Sequence, residues 1–241
     1  MLEQVWSKAD LHVHSSHSDG VHGIHEILQH VASKTDLKLI AVTDHNCISG
    51  ALEAQRLAPR YGLEAIVGEE ITTQRGHLLA LFIERPIPPG MPILTTVRHV
   101  HAQGGLAILA HPLDRLCNSP MRHWPRPTAE EWSSFEVDGL EVLNSSQLDA
   151  WADCRARARA RDLEVASTGG SDAHHREVIG VGYTLYPGTT AADLRRALEQ
   201  RTSVGAGSRW NALGYLKWLT LSLLPRAFHL STQPQPLSSF G

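Results

Sequence analysis

Short apolar runs alternate with amphipathic segments along most of this chain, and this alternation constrains the fold more than any other feature. The apolar runs predict strands at 9–14, 37–45, 64–72, 77–83, 106–112, 139–145 and 163–174, with a further short strand at 180–186. The segments between them predict helices at 25–33, 50–60, 95–103, 128–135, 149–161 and 191–200. Strands that alternate with helices are typical of parallel sheets with crossover helices. About seven such units in one chain favour a closed α/β barrel over an open sheet.

Two of the predicted helices carry a recognisable start signal. Thr128 is followed by Glu131, and Thr190 by Asp193, at the spacing of a capping box. We therefore expect these helices to begin directly after the two threonines.

The amino-acid composition limits the classes of protein to which this chain can belong. The chain has 241 residues and a formal net charge of −3, so it has no overall basic field that would attract nucleic acid. Its three cysteines are widely spaced, which argues against a disulfide framework and predicts a reducing, cytoplasmic location. The longest apolar-rich run is too short to span a bilayer. The compositional anomaly is the fifteen histidines.

The sequence predicts one main domain over 5–210, an apolar helix over 211–225 and a short disordered tail over 226–241. In the helix, Leu213, Leu216, Leu219 and Leu223 recur at three- and four-residue steps and form an apolar stripe. We expect this stripe to dock against the outside of the barrel. A contact with a partner or a membrane surface is the alternative.

Imidazole and carboxylate side chains recur near the ends of successive apolar runs. A single histidine in such a place is more often a surface or hydrogen-bonded residue than a ligand. Their recurrence at the same end of successive strands instead favours a ligand role, because barrel active sites lie at the carboxyl ends of the strands. Imidazole and carboxylate together suit zinc, manganese or iron. The number of such groups exceeds the needs of one ion and predicts a multinuclear site.

Five segments then carry a family resemblance. In order along 10–186, "DLHVHSSHSDG", "VTDHN", "GEEIT", "LAHP" and "GSDAH" resemble the successive motifs of the polymerase-and-histidinol-phosphatase (PHP) family of metal-dependent phosphoesterases. The resemblance implies a distorted (β/α)7 barrel of the PHP type. It also implies two or three divalent ions, of zinc, manganese or iron, in one centre.

The resemblance carries a ligand set onto this sequence. His12, His14, Glu70 and Asp172 would hold a first metal ion, and Glu70 would bridge to a second ion held by His77 and His111. A third ion would be held by Asp19, His45 and His174. Glu70 is preferred over Glu69 because the family motif sets the frame from Gly68, and only one of two adjacent strand residues can face the site. Asp10 and Asp44 are expected to orient histidines.

The implied reaction is hydrolysis of a phosphate ester by metal-bound hydroxide. Asp19, Glu70 and His174 are the expected catalytic residues, with Asp19 or a nearby histidine protonating the leaving oxygen. Arg115, Arg75 and Arg209 are candidates for binding the phosphate, although each is also typical of a solvated surface arginine.

The substrate is expected to be small, such as a nucleotide, a dinucleotide or a histidinol-phosphate-like ester. Only thirty-three residues separate His77 from His111, whereas longer relatives that act on nucleotides or RNA resemble one another in carrying an inserted subdomain there. Three alternatives remain open: an exonuclease that trims nucleic-acid ends, a catalytically silent metal-binding module, and an amidohydrolase.

Overall fold

The computed structural model describes residues 4–113 and 127–229. Its strands are β1 Trp6–Val13, β2 Leu39–Val42, β3 Glu64–Thr73, β4 Gly76–Leu81, β5 Leu106–Leu109, β6 Gly139–Asn144, β7 Ala166–Gly170, β8 Gly182–Pro187 and β9 Val204–Gly207. Its α-helices are α1 Ile24–Lys34, α2 Ser49–Leu57, α3 Ile93–His101, α4 Ala129–Ser133, α5 Ala150–Asp162, α6 Ala191–Glu199 and α7 Ala212–His229. Arg115 and residues 230–241 of the predicted tail lie outside the described residues. Helix α7 includes 226–229, which the sequence assigned to the tail.

The strands form one sheet that nearly closes into a barrel. Its order is β7-β6-β5-β4-β3-β2-β1-β8-β9. The chain after β7 returns to the end of β1, where Val13 forms a parallel bridge with Ala173 and the His14 amide donates to the Ala173 carbonyl at 2.9 Å. The predicted α/β barrel is confirmed.

The expectation of uniformly parallel strands is wrong for four strand pairs. Strand β4 is antiparallel to both β3 and β5, and β8 is antiparallel to both β1 and β9. Only Gln74 and Arg75 separate β3 from β4, which is too short for a crossover and makes a hairpin. Strand β9 was not predicted, because its sequence "VGAG" is rich in glycine and has little β-propensity.

Both predicted capping boxes are confirmed. The Thr128 hydroxyl accepts from the Glu131 amide at 3.2 Å at the start of α4, and the Thr190 hydroxyl accepts from the Asp193 amide at 3.1 Å at the start of α6. Each cap satisfies a backbone donor that the helix itself cannot.

The apolar core lies in two layers on either side of the sheet. Along β2, Leu39 and Ala41 point into the barrel interior, whereas Ile40 and Val42 pack outward against the helices. Leu194 of α6 joins the interior layer. The period of two along each strand therefore decides which side chains can reach the mouth of the barrel.

Candidate metal centre

The nine side chains predicted to bind metal converge at one edge of the sheet. His12 is the last residue but one of β1, His14 directly follows that strand, and Glu70 lies towards the end of β3. His77 opens β4, and because β4 is antiparallel to β3 its start meets the end of β3. The remaining members lie in segments that follow β1, β2, β5 and β7: Asp19, His45, His111, Asp172 and His174. The carboxyl edge of the barrel thus collects all nine.

A bulge in β1 turns the histidines of this strand into the barrel. Between Asp10 and Val13 the register of β1 against β2 shifts, so that two residues, Leu11 and His12, stand opposite one residue of β2. His12 therefore faces the interior with Leu11, and His14 follows two residues later on the same side. Without the bulge, simple alternation would have put Asp10 on that side as well.

Glu70 is the centre of the cluster. Its carboxylate is buried, and five imidazole nitrogens lie within 3.3 Å of its two oxygens. The distances are 3.2 Å to His12 Nε2, 3.3 Å to His14 Nε2, 3.1 Å to His45 Nδ1, 2.8 Å to His77 Nδ1 and 3.2 Å to His111 Nε2. A carboxylate in such surroundings can join two cations.

Glu69 points the other way. It shares its face of β3 with Val67 and Ile71, which belong to the apolar layer beneath the helices. Its Oε2 accepts from the Ile87 amide at 2.9 Å. Burial raises the pKa of Glu69 to about 7. The structure therefore brings Glu70, and not Glu69, to the cluster.

Asp172 lies on the far side of the two β1 histidines. Its Oδ1 is 3.4 Å from His12 Nε2, 3.1 Å from His14 Nε2 and 3.7 Å from His174 Nδ1. Its Oδ2 accepts from the Ser146 hydroxyl at 2.7 Å, which fixes the carboxylate plane.

Asp19 and His174 form the open corner of the cluster. Asp19 Oδ2 lies 3.1 Å from His174 Nε2 and 3.7 Å from His45 Nε2, and its Oδ1 lies 3.7 Å from His14 Nδ1. The Asp19 side chain is 53% exposed, whereas those of Glu70 and His14 are buried. Solvent therefore reaches the cluster at this corner.

The donor set fits divalent cations. Ligand atoms lie within 4.8 Å of one another in four sets: His14, Asp19, His45 and His174; His12, His14 and Glu70; His12, His111 and Asp172; His45, Glu70 and His77. Although these groups lie close together, four buried atoms make no hydrogen bond of suitable geometry with the described residues: His12 Nε2, His14 Nδ1, His77 Nδ1 and Glu70 Oε2. An unpartnered buried polar atom costs free energy, and a cation that takes up these lone pairs removes that cost.

The buried carboxylates of the cluster are also stabilised by positive charge around them. Burial alone would raise the pKa of Glu70, but the imidazoles, His12 foremost, hold it well below its ordinary value. Burial likewise opposes ionisation of Asp172, and the neighbouring histidines again hold its pKa well below the ordinary value. Burial would lower the pKa of His14, but its hydrogen bond to Asp172 and the adjacent Glu70 carboxylate raise it to about 10. The positive charge that balances these carboxylates can come either from protons on the imidazoles or from bound divalent cations.

Sequence reasoning missed a buried carboxylate behind the cluster. Glu141 of β6 accepts from the His111 amide at 2.8 Å and from Asn144 Nδ2 at 2.9 Å, and its Oε1 lies 3.0 Å from His12 Nδ1. A carboxylate on one imidazole nitrogen fixes the ring so that the other nitrogen faces a metal. The available signal was an acidic residue inside the otherwise apolar run "GLEVLNS".

Asp10 and Asp44 act on the backbone of the loops around the site. Asp10 accepts from the amides of Ser171 at 3.0 Å and Gly180 at 2.8 Å. Asp44 accepts from the Ser15 amide at 2.7 Å and from the Ser18 hydroxyl at 2.6 Å. These contacts position the segments that carry Asp172 and Asp19, and the expectation that both carboxylates orient imidazole rings stays a prediction.

The two described arginine candidates contact neighbouring helices. Arg75 donates to Glu131 Oε1 at 3.2 Å, on α4. Arg209 donates to the carboxylate of Asp153, on α5. Their predicted role in phosphate binding stays a prediction, and Arg115 lies outside the described residues.

Helix α7 packs on the rim of the site, where we had expected it on the outside of the barrel. His175 Nε2 lies 3.0 Å from the Gly214 carbonyl, and the Tyr215 hydroxyl donates to the Ser146 carbonyl at 2.8 Å. The predicted helix is present, but Leu213, Leu216 and Leu219 of its apolar stripe stay exposed, and the contacts that anchor the helix are polar and lie in distant loops. Within residues 4–113 and 127–229, no helix combines the length and apolarity needed to cross a bilayer.

Two family models match the chain. The PHP domain model matches residues 10–145, more than half of the 241 residues, and a model described as PHP-associated matches residues 152–203. The chain belongs to the PHP domain family. The resemblance of its five ordered motifs to that family is thereby confirmed.

Individual relatives agree with this membership. An uncharacterized protein of Methanocaldococcus jannaschii is 33% identical over 153 residues, which are 59% of this chain and 84% of that protein. A 3',5'-nucleoside bisphosphate phosphatase of Chromobacterium violaceum is 34% identical over 85 residues, 35% of this chain and 30% of that protein.

The fold has close counterparts among solved structures. A two-domain protein of Bacteroides vulgatus, described as containing a predicted PHP-like metal-dependent phosphoesterase, superposes with a TM-score of 0.70 and 19% identity over 85% of this chain and 66% of that chain. At this identity the likeness shows the fold alone. The predicted enzyme class, a hydrolase acting on phosphoric ester bonds, is confirmed at the level of the family.

Proposed function

We propose that this chain hydrolyses a small phosphate ester at the nine-residue cluster. The observation that carries the proposal is the buried Glu70 carboxylate with five imidazole nitrogens within 3.3 Å. Burying this many ionisable groups around one carboxylate costs folding free energy unless bound cations compensate for it.

The proposed ligand sets are those that the family resemblance implies. His12, His14, Glu70 and Asp172 would hold one ion, and Glu70 with His77 and His111 a second. His45 and His174 with Asp19 would hold a third at the open corner. Support for several ions comes from the four sets of mutually close ligand atoms, in which Glu70 belongs to two. These sets group His77 with His45 and Glu70, and His111 with His12 and Asp172, so the division of the ligands among the ions is part of the proposal.

Bound divalent ions of zinc, manganese or iron would acidify a water molecule and stabilise charge on phosphoryl oxygens. The side chains of the protein would position these ions and the reacting groups. Glu70 and Asp172 would fix the separation of the cations, and Glu141 would hold the ring of His12. At the exposed corner, Asp19 or His174 would deliver a proton to the leaving oxygen.

A small substrate is supported by the short connection across the mouth. Between His77 and His111 the chain holds the rest of β4, a proline-rich loop, α3 and β5, with no inserted subdomain. The phosphatase relative named for nucleoside bisphosphates supports the same class. One observation favours the exonuclease alternative: a 5'-3' exoribonuclease of Haemophilus influenzae is 24% identical over 251 residues, 69% of this chain and 90% of that protein.

The test is a phosphoester panel on chelator-stripped protein reconstituted with Mn²⁺ or Zn²⁺. The panel contains nucleoside monophosphates, a 3',5'-bisphosphate, dinucleotides, histidinol phosphate and a single-stranded RNA oligonucleotide. Turnover of a small ester, with little on RNA, is expected. Preferred cleavage of RNA would support the exonuclease, and no turnover with any metal would make the chain a silent metal-binding module.

A further inference from the structure

The mouth of the cluster has an aromatic side chain beside its open corner. The indole of Trp218, on α7, contacts the ring of His174 with centroids 6.2 Å apart and planes 74° apart. The ring of His174 in turn stacks on His14 at 4.3 Å between centroids. Trp218 is thus one ring away from the buried part of the cluster.

The position of Trp218 is fixed by the anchors of α7. The Gly214 and Tyr215 contacts hold the start of the helix to residues that neighbour the predicted ligands His174 and Asp172. One turn further on, Lys217 Nζ lies 3.7 Å from Glu177 Oε1. A helix held at these points presents Trp218 to the rim as part of a fixed wall.

Trp218 nevertheless remains 36% exposed. The imidazole that this indole contacts, His174, lies 3.1 Å from the exposed carboxylate of Asp19. A phosphoryl group bound at the Asp19–His174 corner would direct its ester substituent outwards. The indole of Trp218, in contact with His174, offers an aromatic surface for this substituent.

We propose that Trp218 is a specificity-determining residue that stacks on a planar aromatic group, such as a nucleobase, of the phosphoester substrate. This inference rests on the proposed function and deepens it. Aromatic rings stack favourably on indole, and the interaction tolerates different bases because every base has a π face.

The test compares two esters that differ only in the base: adenosine 5'-monophosphate and ribose 5-phosphate. In metal-loaded protein, Trp218→Leu should lower the ratio of kcat/KM for the nucleotide to kcat/KM for the sugar phosphate about tenfold. Trp218→Phe, which keeps an aromatic face, should keep most of the ratio. Leu216→Ala is the matched control, since Leu216 is 57% exposed on the same helix, and should change neither value.

A second readout separates this proposal from the proposed function. Binding of adenosine, which has no phosphate, is measured by calorimetry on the wild type and on both tryptophan variants. Weaker binding to Trp218→Leu but not to Trp218→Phe supports stacking even if no ester is hydrolysed. An unchanged kcat/KM ratio, or adenosine binding equal in wild type and Trp218→Leu, overturns the role of Trp218 while leaving the hydrolase intact.

Discussion

Replacing Glu141 with glutamine should weaken metal binding without emptying the space that the side chain fills. The Glu141 carboxylate faces His12 Nδ1 with Oε1, and faces the His111 amide and Asn144 Nδ2 with Oε2. Glutamine has one acceptor oxygen and one donor group. The oxygen should stay with the two N–H donors, because a donor placed there would leave both of them unsatisfied.

The amide nitrogen of the glutamine would then face His12 Nδ1. His12 must accept there, so its proton moves to Nε2, the atom that lies 3.2 Å from Glu70 Oε2. A protonated Nε2 cannot bind a cation. Loss of such a supporting carboxylate weakens metal binding by about 10- to 100-fold, or about 1.4 to 2.7 kcal/mol.

The assay is calorimetric titration of chelator-stripped protein with Mn²⁺ or Zn²⁺, together with NMR of the His12 ring to identify its tautomer. Glu69→Gln is the matched control, because Glu69 is also a buried carboxylate but faces the helix side of β3 and should leave the metal affinity unchanged. A Glu141→Gln variant that binds metal within twofold of the wild type, with Nε2 still unprotonated, would refute this reasoning.

Three further outcomes are expected. Glu70→Ala should lower kcat/KM for phosphate release about 100-fold, and by much more than Glu69→Ala does; equal losses would contradict the strand register. Gly50→Ala would put a methyl group in steric overlap with Asp44 Oδ2, so the free energy of unfolding in urea should fall by about 1 to 3 kcal/mol, and an unchanged midpoint would count against that packing. Hydrogen bonds from the Thr189 and Thr190 amides hold the pKa of Asp193 at about 2, below the ordinary 3.8. The Asp193 charge therefore stabilises the fold above pH 4 and ceases to do so as the pH falls through 2, so the lower Tm of Asp193→Asn at pH 7 should converge with the wild-type Tm near pH 2.

Local periodicity predicted the parts of the site that lie on regular strands. Along β3, the choice of Glu70 over Glu69 needed only the alternation of side chains and one fixed position, Gly68. The same rule fails for Asp10, because the bulge in β1 changes the face on which residues before it lie. A bulge depends on the partner strand, so the sequence of β1 alone does not reveal it.

Contacts between segments that are distant along the chain could not be predicted from the sequence. The direction of β8 against β1 depends on pairing across more than 170 residues, which no local pattern encodes. The docking of α7 depends on polar contacts with loops after β6 and β7. Glu141 differs from these cases, because an acidic residue inside an apolar strand is a visible signal of a buried partner.

The most direct test of the account is a metal titration of activity. Chelator-stripped protein receives Mn²⁺ or Zn²⁺ in known equivalents, and the initial rate of phosphate release from the best ester is measured at each step. A multinuclear metal centre predicts no release without metal and a rate that rises and saturates at two or three equivalents per chain. A rate that is insensitive to chelation, or no release at any metal content, would contradict a metal-dependent phosphoesterase centred on Glu70.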